Sequence, residues 1–511
     1  MNLNTKVRII SDTTTFYPVE KEGDDSRNRN DDMSLRATLV YLHEQLGEDF
    51  QFFTADDLFI VLQQWRGMLF FIQTNDARFQ DVMRLQLQTI REVLIFLFGP
   101  KFESVMKRSI SMDKRKIFSQ YVDSYLSLCQ EDYIYLLNSI RVDSDSKELS
   151  DHFIQSISST VSNFDINILN VTLFDGNKIV AHYDSPAAAK IDPETLLNLS
   201  IFEKVEYSDV NIESNDSDIM IDNEISSSRN FDPEFVKSSN NTTLKHKNAF
   251  LRIQRSPVCC LLSSSRLSER SPYVILVTTQ NLKITDELRS SILQFITTIT
   301  LLMSQFKPPI PEEKPIQVME ELIHYILIDR THCTVWELPL DLSTGFLIDH
   351  LSQLKNSNDN KDDDSGNNAD NQNSENSEGE AGEDDDNDDD LESEAFELMQ
   401  KLTMQMAAYG MTAMMKGYTT MMWGEQDYQF CYELRFEDEK GELLRPAHVF
   451  SPPPFNDDNG VNYGLITSSI FPNTDGVTCL ELLSIYRGGV LAKSVMAAND
   501  ALFEFYRARN K

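Results

Sequence analysis

The stretch LFIVLQQWRGMLFFIQT, residues 58–74, decides how this chain is read. Two runs rich in Phe, Ile and Val, Leu58–Gln64 and Met68–Thr74, flank Trp65-Arg66-Gly67, and a Gly-bearing pause between β-rich runs predicts a tight hairpin. Upstream, Phe50–Thr54 predicts another strand, Leu35–Leu46 an amphipathic helix, and Val7–Ile10 and Thr14–Tyr17 two short strands. Downstream, Met83, Leu87, Ile90, Leu94 and Leu97 recur at helical spacing until Gly99-Pro100 stops the pattern. A second helix follows over about Lys114–Asn138. The order is β-β-α-β-β-β-α-α, which places a first domain in residues 1–140.

The same pattern returns twice. In residues 141–307, Phe164–Phe174 and Lys178–Tyr183 flank the turn Asp175-Gly176-Asn177. A helix near Pro193–Phe202 leads to strand-like runs at Phe250–Ile253, Val258–Leu262 and Tyr273–Thr279. A closing helix carries Leu288, Ile292, Phe295, Ile299, Leu302 and Phe306 on one face, with Asp286 and Glu287 in its first turn. In residues 316–511, Leu322–Ile328 and Thr334–Leu338 flank a turn at Asp329-Arg330. A helix with Phe396, Met399, Leu402, Met406 and Tyr409 ends at Gly417; strands follow at Tyr418–Trp423 and Tyr428–Phe436. Two helices, Val477–Tyr486 and Ala492–Arg507, are expected to close the chain. Segments rich in Ser, Asn, Asp and Glu, at Glu22–Asp32, 208–241 and 356–394, cannot bury enough apolar surface to offset ordering entropy and read as disordered inserts. The fold class is therefore α/β (α+β), in three copies of one module.

Charge narrows the function. The net charge is −35 over 511 residues, and between Asn356 and Glu394 there are 17 Asp and Glu against one Lys, Lys361. A nucleic-acid partner is excluded because such binding neutralises phosphates with Lys and Arg. Attraction to anionic lipid is disfavoured for the same reason, so membrane association would be peripheral and through partners. The opening MNLNTKVRIISDTTTF has no apolar signal core, and no run approaches a membrane span, so a cytoplasmic chain is expected. The six cysteines, with no C-x-x-C pair, read as buried reduced thiols.

Chemistry is sought and not found. The chain lacks the phosphate cradle G-x-x-x-x-G-K-[ST], H-E-x-x-H, G-x-S-x-G and a kinase signature set. His332-Cys333 brings no further ligand at a zinc spacing. The Met-rich run Met399–Met422 reads as core filling, and the acidic tract lacks the order of a calcium loop. No catalytic residue, metal or cofactor is assigned, and the chain is not expected to be an enzyme.

Several blocks resemble a known family. Lys416–Tyr432, KGYTTMMWGEQDYQFCY, together with Cys479–Tyr486 and the closing helix, is similar to the last domain of the Hermansky–Pudlak syndrome type 1 family. That family takes in the Mon subunit of the Mon–Ccz complex and the Fuzzy protein. Leu322–Arg330 is similar to its preceding strand and turn, and Phe53–Thr74 with the helix after it resembles its first domain. The resemblance implies three longin domains, each a five-stranded antiparallel sheet flanked by helices. It also implies a role as one subunit of a heterodimeric guanine nucleotide exchange factor. The other subunit would be a second longin-domain protein resembling the Hermansky–Pudlak type 4 protein, and the substrate a Rab GTPase of the Rab thirty-two and thirty-eight kind. The setting would be endosomal trafficking and the biogenesis of lysosome-related organelles. Two alternatives stay open: a Mon-type subunit acting on a Rab-seven GTPase, and a longin scaffold or adaptor without exchange activity.

By the same resemblance the first domain forms the GTPase or partner surface, through Leu35–Leu46 and Phe50–Thr54. Its polar candidates are Arg36, His43, Glu48 and Asp49. The acidic insert is expected to be dispensable for folding, because a long loop costs little once its ends are fixed. Deleting residues 356–390 should leave the melting temperature within a few degrees, read by calorimetry; a large drop would show that the tract packs on the folded body.

Overall fold

The computed structural model describes residues 6–11, 15–19, 34, 36–38, 41, 45, 52–55, 58–102, 112–142, 147–186, 188–207, 244–267, 273–280, 284–304, 319–340, 342–351, 386–425, 427–446, 463–472, 474 and 476–510. The expected inserts at 22–32 and 208–241, and the first thirty residues of the one at 356–394, lie outside these.

The first module contains β1 (Lys6–Ile10), β2 (Thr15–Tyr17), β3 (Phe52–Ala55), β4 (Leu58–Trp65) and β5 (Met68–Thr74). All its pairings are antiparallel, in the order β2-β1-β5-β4-β3. The hairpin falls where the quoted stretch predicts it. Trp65 pairs with Met68, and Arg66 and Gly67 take φ of 48° and 80°, the twist-matched two-residue turn that glycine favours. Helices α1 (Gln80–Phe98) and α2 (Met112–Glu131) follow. A 3-10 turn, Tyr133–Leu137, capped by Asp132 and closed by Asn138 in the left-handed region, leads into β6 (Ile140–Val142).

The second module begins with α3 (Lys147–Thr160), then β7 (Ile168–Asp175), β8 (Lys178–Asp184), α4 (Thr195–Tyr207), β9 (Lys245–Ile253), β10 (Ser256–Arg266), β11 (Tyr273–Thr279) and α5 (Asp286–Ser304). The third runs β12 (Leu322–Asp329), β13 (Thr334–Glu337), a helix over 342–351, α6 (Asp386–Met415), β14 (Thr420–Glu425), β15 (Tyr428–Glu437), β16 (Leu443–Leu444), α7 (Tyr463–Ile470), β17 (Thr478–Arg487) and α8 (Ala492–Asn510). Their sheets read β8-β7-β11-β10-β9 and β13-β12-β17-β15-β14. Counted within each module, and leaving out the two-residue β16 that pairs with β15 off this path, all three sheets have the order 2-1-5-4-3.

The second and third sheets are continuous through β6, which lies parallel to β13 on one side and β8 on the other. The expected boundary between residues 140 and 141 thus falls inside a strand. Helix α1 ties in the first module. Met83, Leu87, Ile90, Leu94 and Leu97 are all 0% exposed, and Leu85, Val93, Ile95 and Phe96 on its other faces are buried too. Gln86, Gln88 and Arg91 are buried as well, so neighbours cover the helix on every side. It packs on its own β4 and β5, on β9 and on α6. The Glu92 carboxylate takes two hydrogen bonds from the Arg252 guanidinium on β9, both 2.7 Å. At its end, a Cβ on Gly99 would stand 2.6 Å from the Phe250 ring, so the chain turns where only glycine fits.

Three expectations need correction. Residues 477–486 are not a helix: 478–487 form β17, the strand at the centre of the third sheet. Cys479, Leu482, Leu483 and Tyr486 mimic helical spacing, because a strand buried on both faces shows no alternation. The stretch 386–394 of the acidic insert is helical, forming the first turns of α6. Phe396, expected in the core, is 46% exposed, whereas Met399, Leu402 and Met406 are buried. A deletion testing the insert should therefore stop at residue 385.

Because α1 serves all three modules, Ile90→Ala is expected to cost about 2–5 kcal/mol. It should lower hydrogen-exchange protection in β9 as well as in β4 and β5. An effect confined to the first sheet would contradict the packing.

Candidate functional site

The first sheet ends at β3, which pairs with β4 on one side. Phe52 in β3 is 48% exposed and stacks on Phe59 at 5.6 Å; Leu58 is 42% exposed and Tyr41 60%. Residues 34, 36–38, 41 and 45 are helical, matching the expected helix at 35–46. Of the four polar candidates, Arg36 is helical and half-buried. His43, Glu48 and Asp49 lie outside the described residues. An edge strand presents a row of backbone donors and acceptors to any strand that comes beside it. With Phe52 and Leu58 exposed at opposite ends of the β3–β4 pair, this edge can take a partner by backbone pairing and apolar burial.

A second cluster, not found by sequence reading, lies where the first module's outgoing chain meets the third. The Arg330 guanidinium, 2% exposed, donates to the Glu481 carboxylate of β17, which is fully buried. It also donates to the Leu137 carbonyl at 2.6 Å and to Ser139 Oγ at 3.0 Å. Beside it, Arg141 of β6 lies 3.0 Å from Asp132 and 2.9 Å from Glu337. The Tyr133 hydroxyl donates to Glu337 Oε2 at 2.5 Å and lies 3.2 Å from His324 Nε2; His324 Nδ1 is 2.8 Å from Ser343 Oγ. With the Tyr133 proton given to Glu337, Nε2–H of the imidazole donates to the tyrosine oxygen; Ser343 Oγ, 2.8 Å from Nδ1, also lies 3.2 Å from the Pro339 carbonyl, and its single proton goes to one of the two. Burial, with Arg141 adding to it, pushes the His324 imidazole down to about 3. Burial holds the Glu337 carboxyl above its ordinary value, against the pull of Arg141. These groups are enclosed, so they act on one another rather than on a substrate. A sequence signal existed only in the chemistry: a Glu inside the apolar strand β17 must find a cation, here Arg330 in the turn after β12.

The remaining candidates are structural. His332 Nδ1 sits 2.7 Å from Asp329 Oδ2, and Asp329 Oδ1 accepts from the backbone N–H of Thr331 and His332. Cys333 is buried in the same turn. Cys259 and Cys260 are neighbours on β10, neither of them in a disulfide, and burial pushes Cys260 up to about 12. Among the described residues, no group of three His, Cys, Asp or Glu is placed to hold a metal ion. No helix among them is long and apolar enough to cross a membrane.

Removing one partner of the buried pair is the informative change. Arg330→Met should cost about 3–5 kcal/mol, because Glu481 is left charged and buried; adding Glu481→Met should restore most of it. Chemical denaturation of both variants reads this, and equal losses would refute it. His324 gives a pH signature. The unfolded imidazole takes a proton near pH 6.5 and the folded one near 3, so stability is present above 6.5 and lost as pH falls below it. Relative to His324→Gln, the native chain should lose stability between pH 7 and 5.5, with a slope approaching about 1.4 kcal/mol per pH unit. Parallel pH profiles would contradict the neutral assignment.

Comparison with family models finds no match for this chain, and comparison with curated proteins finds none either.

Proposed function

We propose that the chain is a subunit of a heterodimeric guanine nucleotide exchange factor for a Rab GTPase of the Rab thirty-two and thirty-eight kind, built from three longin domains. The observation that supports this most is the strand order 2-1-5-4-3 carried by all three sheets. A five-stranded antiparallel sheet with helices, repeated, is what the resemblance implies, and the shared order supports that reading. That β3 ends the first sheet among the described residues, with Phe52 and Leu58 exposed, supports the first module as the partner and GTPase face.

Exchange of this kind needs no nucleophile and no metal. A factor that binds the nucleotide-free GTPase more tightly than the loaded one lowers nucleotide affinity by the same factor. The chain's task is to present a shaped surface together with its partner, a second longin-domain protein. Its surplus of negative charge steers a basic patch on the GTPase toward it, which raises the association rate at low salt. The reading places the chain in the cytoplasm, recruited peripherally to endosomal or lysosome-related membranes through those partners.

Release of labelled GDP from a panel of Rab proteins tests this directly. The purified heterodimer should accelerate release from a Rab thirty-two-like member, and neither subunit alone should do so well. Phe52→Asp, at a half-exposed edge position, should weaken partner binding about tenfold or more, as loss of an aromatic anchor does. Arg36→Glu should lower exchange with the dimer intact. Acceleration only on a Rab seven-like protein would move the chain to the Mon-type branch. A folded dimer that accelerates none would refute the exchange reading and leave a scaffold.

A further inference from the structure

With β8 and β13 joined through β6, four strands end the sheets among the described residues: β2, β3, β9 and β14. Strand β2 has three residues and runs into Pro18, and β3 has four. Strand β9 carries Lys245, His246, Lys247 and Arg252. The chain's own Ile191 bridges to Ile253 at its end, and the Asp192 N–H donates to the Arg252 carbonyl at 2.9 Å. Strand β14, Thr420–Glu425, has six residues, and neither charge nor proline interrupts Thr420–Gly424. Charge, proline and shortness are how sheets keep foreign strands off an edge, and β14 has none of them.

The ladder shows what this edge offers. The Leu434 N–H donates to the Thr419 carbonyl at 2.8 Å, and Thr420 stands opposite Glu433. Bonded positions alternate in an antiparallel pair, so Met421, Trp423 and Glu425 bond to β15. Thr420, Met422 and Gly424 therefore turn their N–H and C=O outward. Thr420 and Gly424 are exposed, and Met421, Met422 and Trp423 are half-buried. The Trp423 ring lies 5.0 Å from Tyr409 and 5.2 Å from Phe430, which anchors the strand to its own module.

Charge narrows what can dock. At the Glu425 end stand Asp76, Glu425 and the exposed Asp427, with Arg78 bonded to Asp76 and 3.6 Å from Glu425, and Arg487 two strands in. Helix α6 runs opposite to β14: Tyr409 lies beside Trp423, and Gln405 donates to Glu425 at 3.3 Å. Its earlier turns thus continue past that end, and residues 386–397 hold seven Asp and Glu and no Lys or Arg. A second copy of a chain with net charge −35 is repelled. The chain's own 447–462 contains Pro452-Pro453-Pro454, which supply no N–H to a ladder.

We propose that β14 is a strand-addition site for an extended segment of another protein. That segment carries apolar side chains at alternate positions and Lys or Arg at the end beside Glu425 and Asp427. A strand added antiparallel, as its neighbours are, brings its N-terminal end there. Main-chain bonds to Thr420, Met422 and Gly424 supply affinity, and the carboxylates set direction. The site belongs to the third module and is independent of β3 and of nucleotide exchange.

Two short peptides titrated against the full chain test this: alternating Val and Thr preceded by Lys-Lys, and the same with Glu-Glu. Bound lysine peptide should slow amide exchange at Thr420, Met422 and Gly424 by about tenfold, with Met421 and Trp423 little changed. The glutamate peptide should bind about tenfold more weakly. Gly424→Pro removes one outward donor, leaves the bonds to β15, and should weaken the lysine peptide several-fold. Should that variant fold poorly, Asp427→Lys should narrow the preference between the two peptides. Outward amides already as protected as Met421 in the free chain, or peptides that bind equally or not at all, would overturn the site.

Discussion

An antiparallel sheet that does not close on itself has two edges, and each exposes backbone donors and acceptors that must be paired, covered or blunted. Three such sheets in one chain pose that problem six times, and its solutions organise this molecule. Two of the edges, β8 and β13, are closed by a single three-residue strand inserted between them. The far edge of the second sheet, β9, is crowded by α1 of the first module, through Glu92–Arg252 and the approach of Gly99 to Phe250. At β3, by contrast, Phe52 and Leu58 stand half out of the protein. Strands β2 and β14 also end their sheets, so among the described residues β3 is set apart by those exposed apolar side chains.

The polar joint at β6 follows from the same constraint. A strand that must fit between two edges from modules far apart in sequence needs one register and no other, because a slip of one residue turns every side chain to the opposite face. Arg330 and Glu481, 151 residues apart, fix that register through the Leu137 carbonyl and the Ser139 hydroxyl. An apolar joint would hold at least as tightly and specify the register less well. The cost appears as pH sensitivity at His324, whose imidazole is kept neutral by burial beside Ser343 and Tyr133.

Much of the fold was legible before the structure. The hairpin at 58–74, the helix through Met83, Leu87, Ile90, Leu94 and Leu97, and the closing helix from Asp286 all carry local signals of period and turn chemistry. The elements misread are those whose reasons are not local. Strand β17 is buried on both faces, so it loses the alternation that marks a strand and borrows a helical spacing instead. Strand β6 is too short to have a period, and both its neighbours come from other modules. Helix α3 is an exception: Leu149, Phe153 and Ile157 do recur at helical spacing, but the serines around them read as loop. Of the site, the helix and strand of the first module could be placed from sequence. The individual polar residues came only from the family resemblance, and Arg36 alone falls among the described residues.

The account turns on β3 being the edge that a partner strand covers. Hydrogen exchange of Phe52–Ala55, compared between the chain alone and the chain with the proposed longin-domain partner, measures this at the backbone. Slowed exchange in those four residues on complex formation, with β17 unchanged, is the predicted result. A complex that forms with β3 exchanging as freely as before would contradict it.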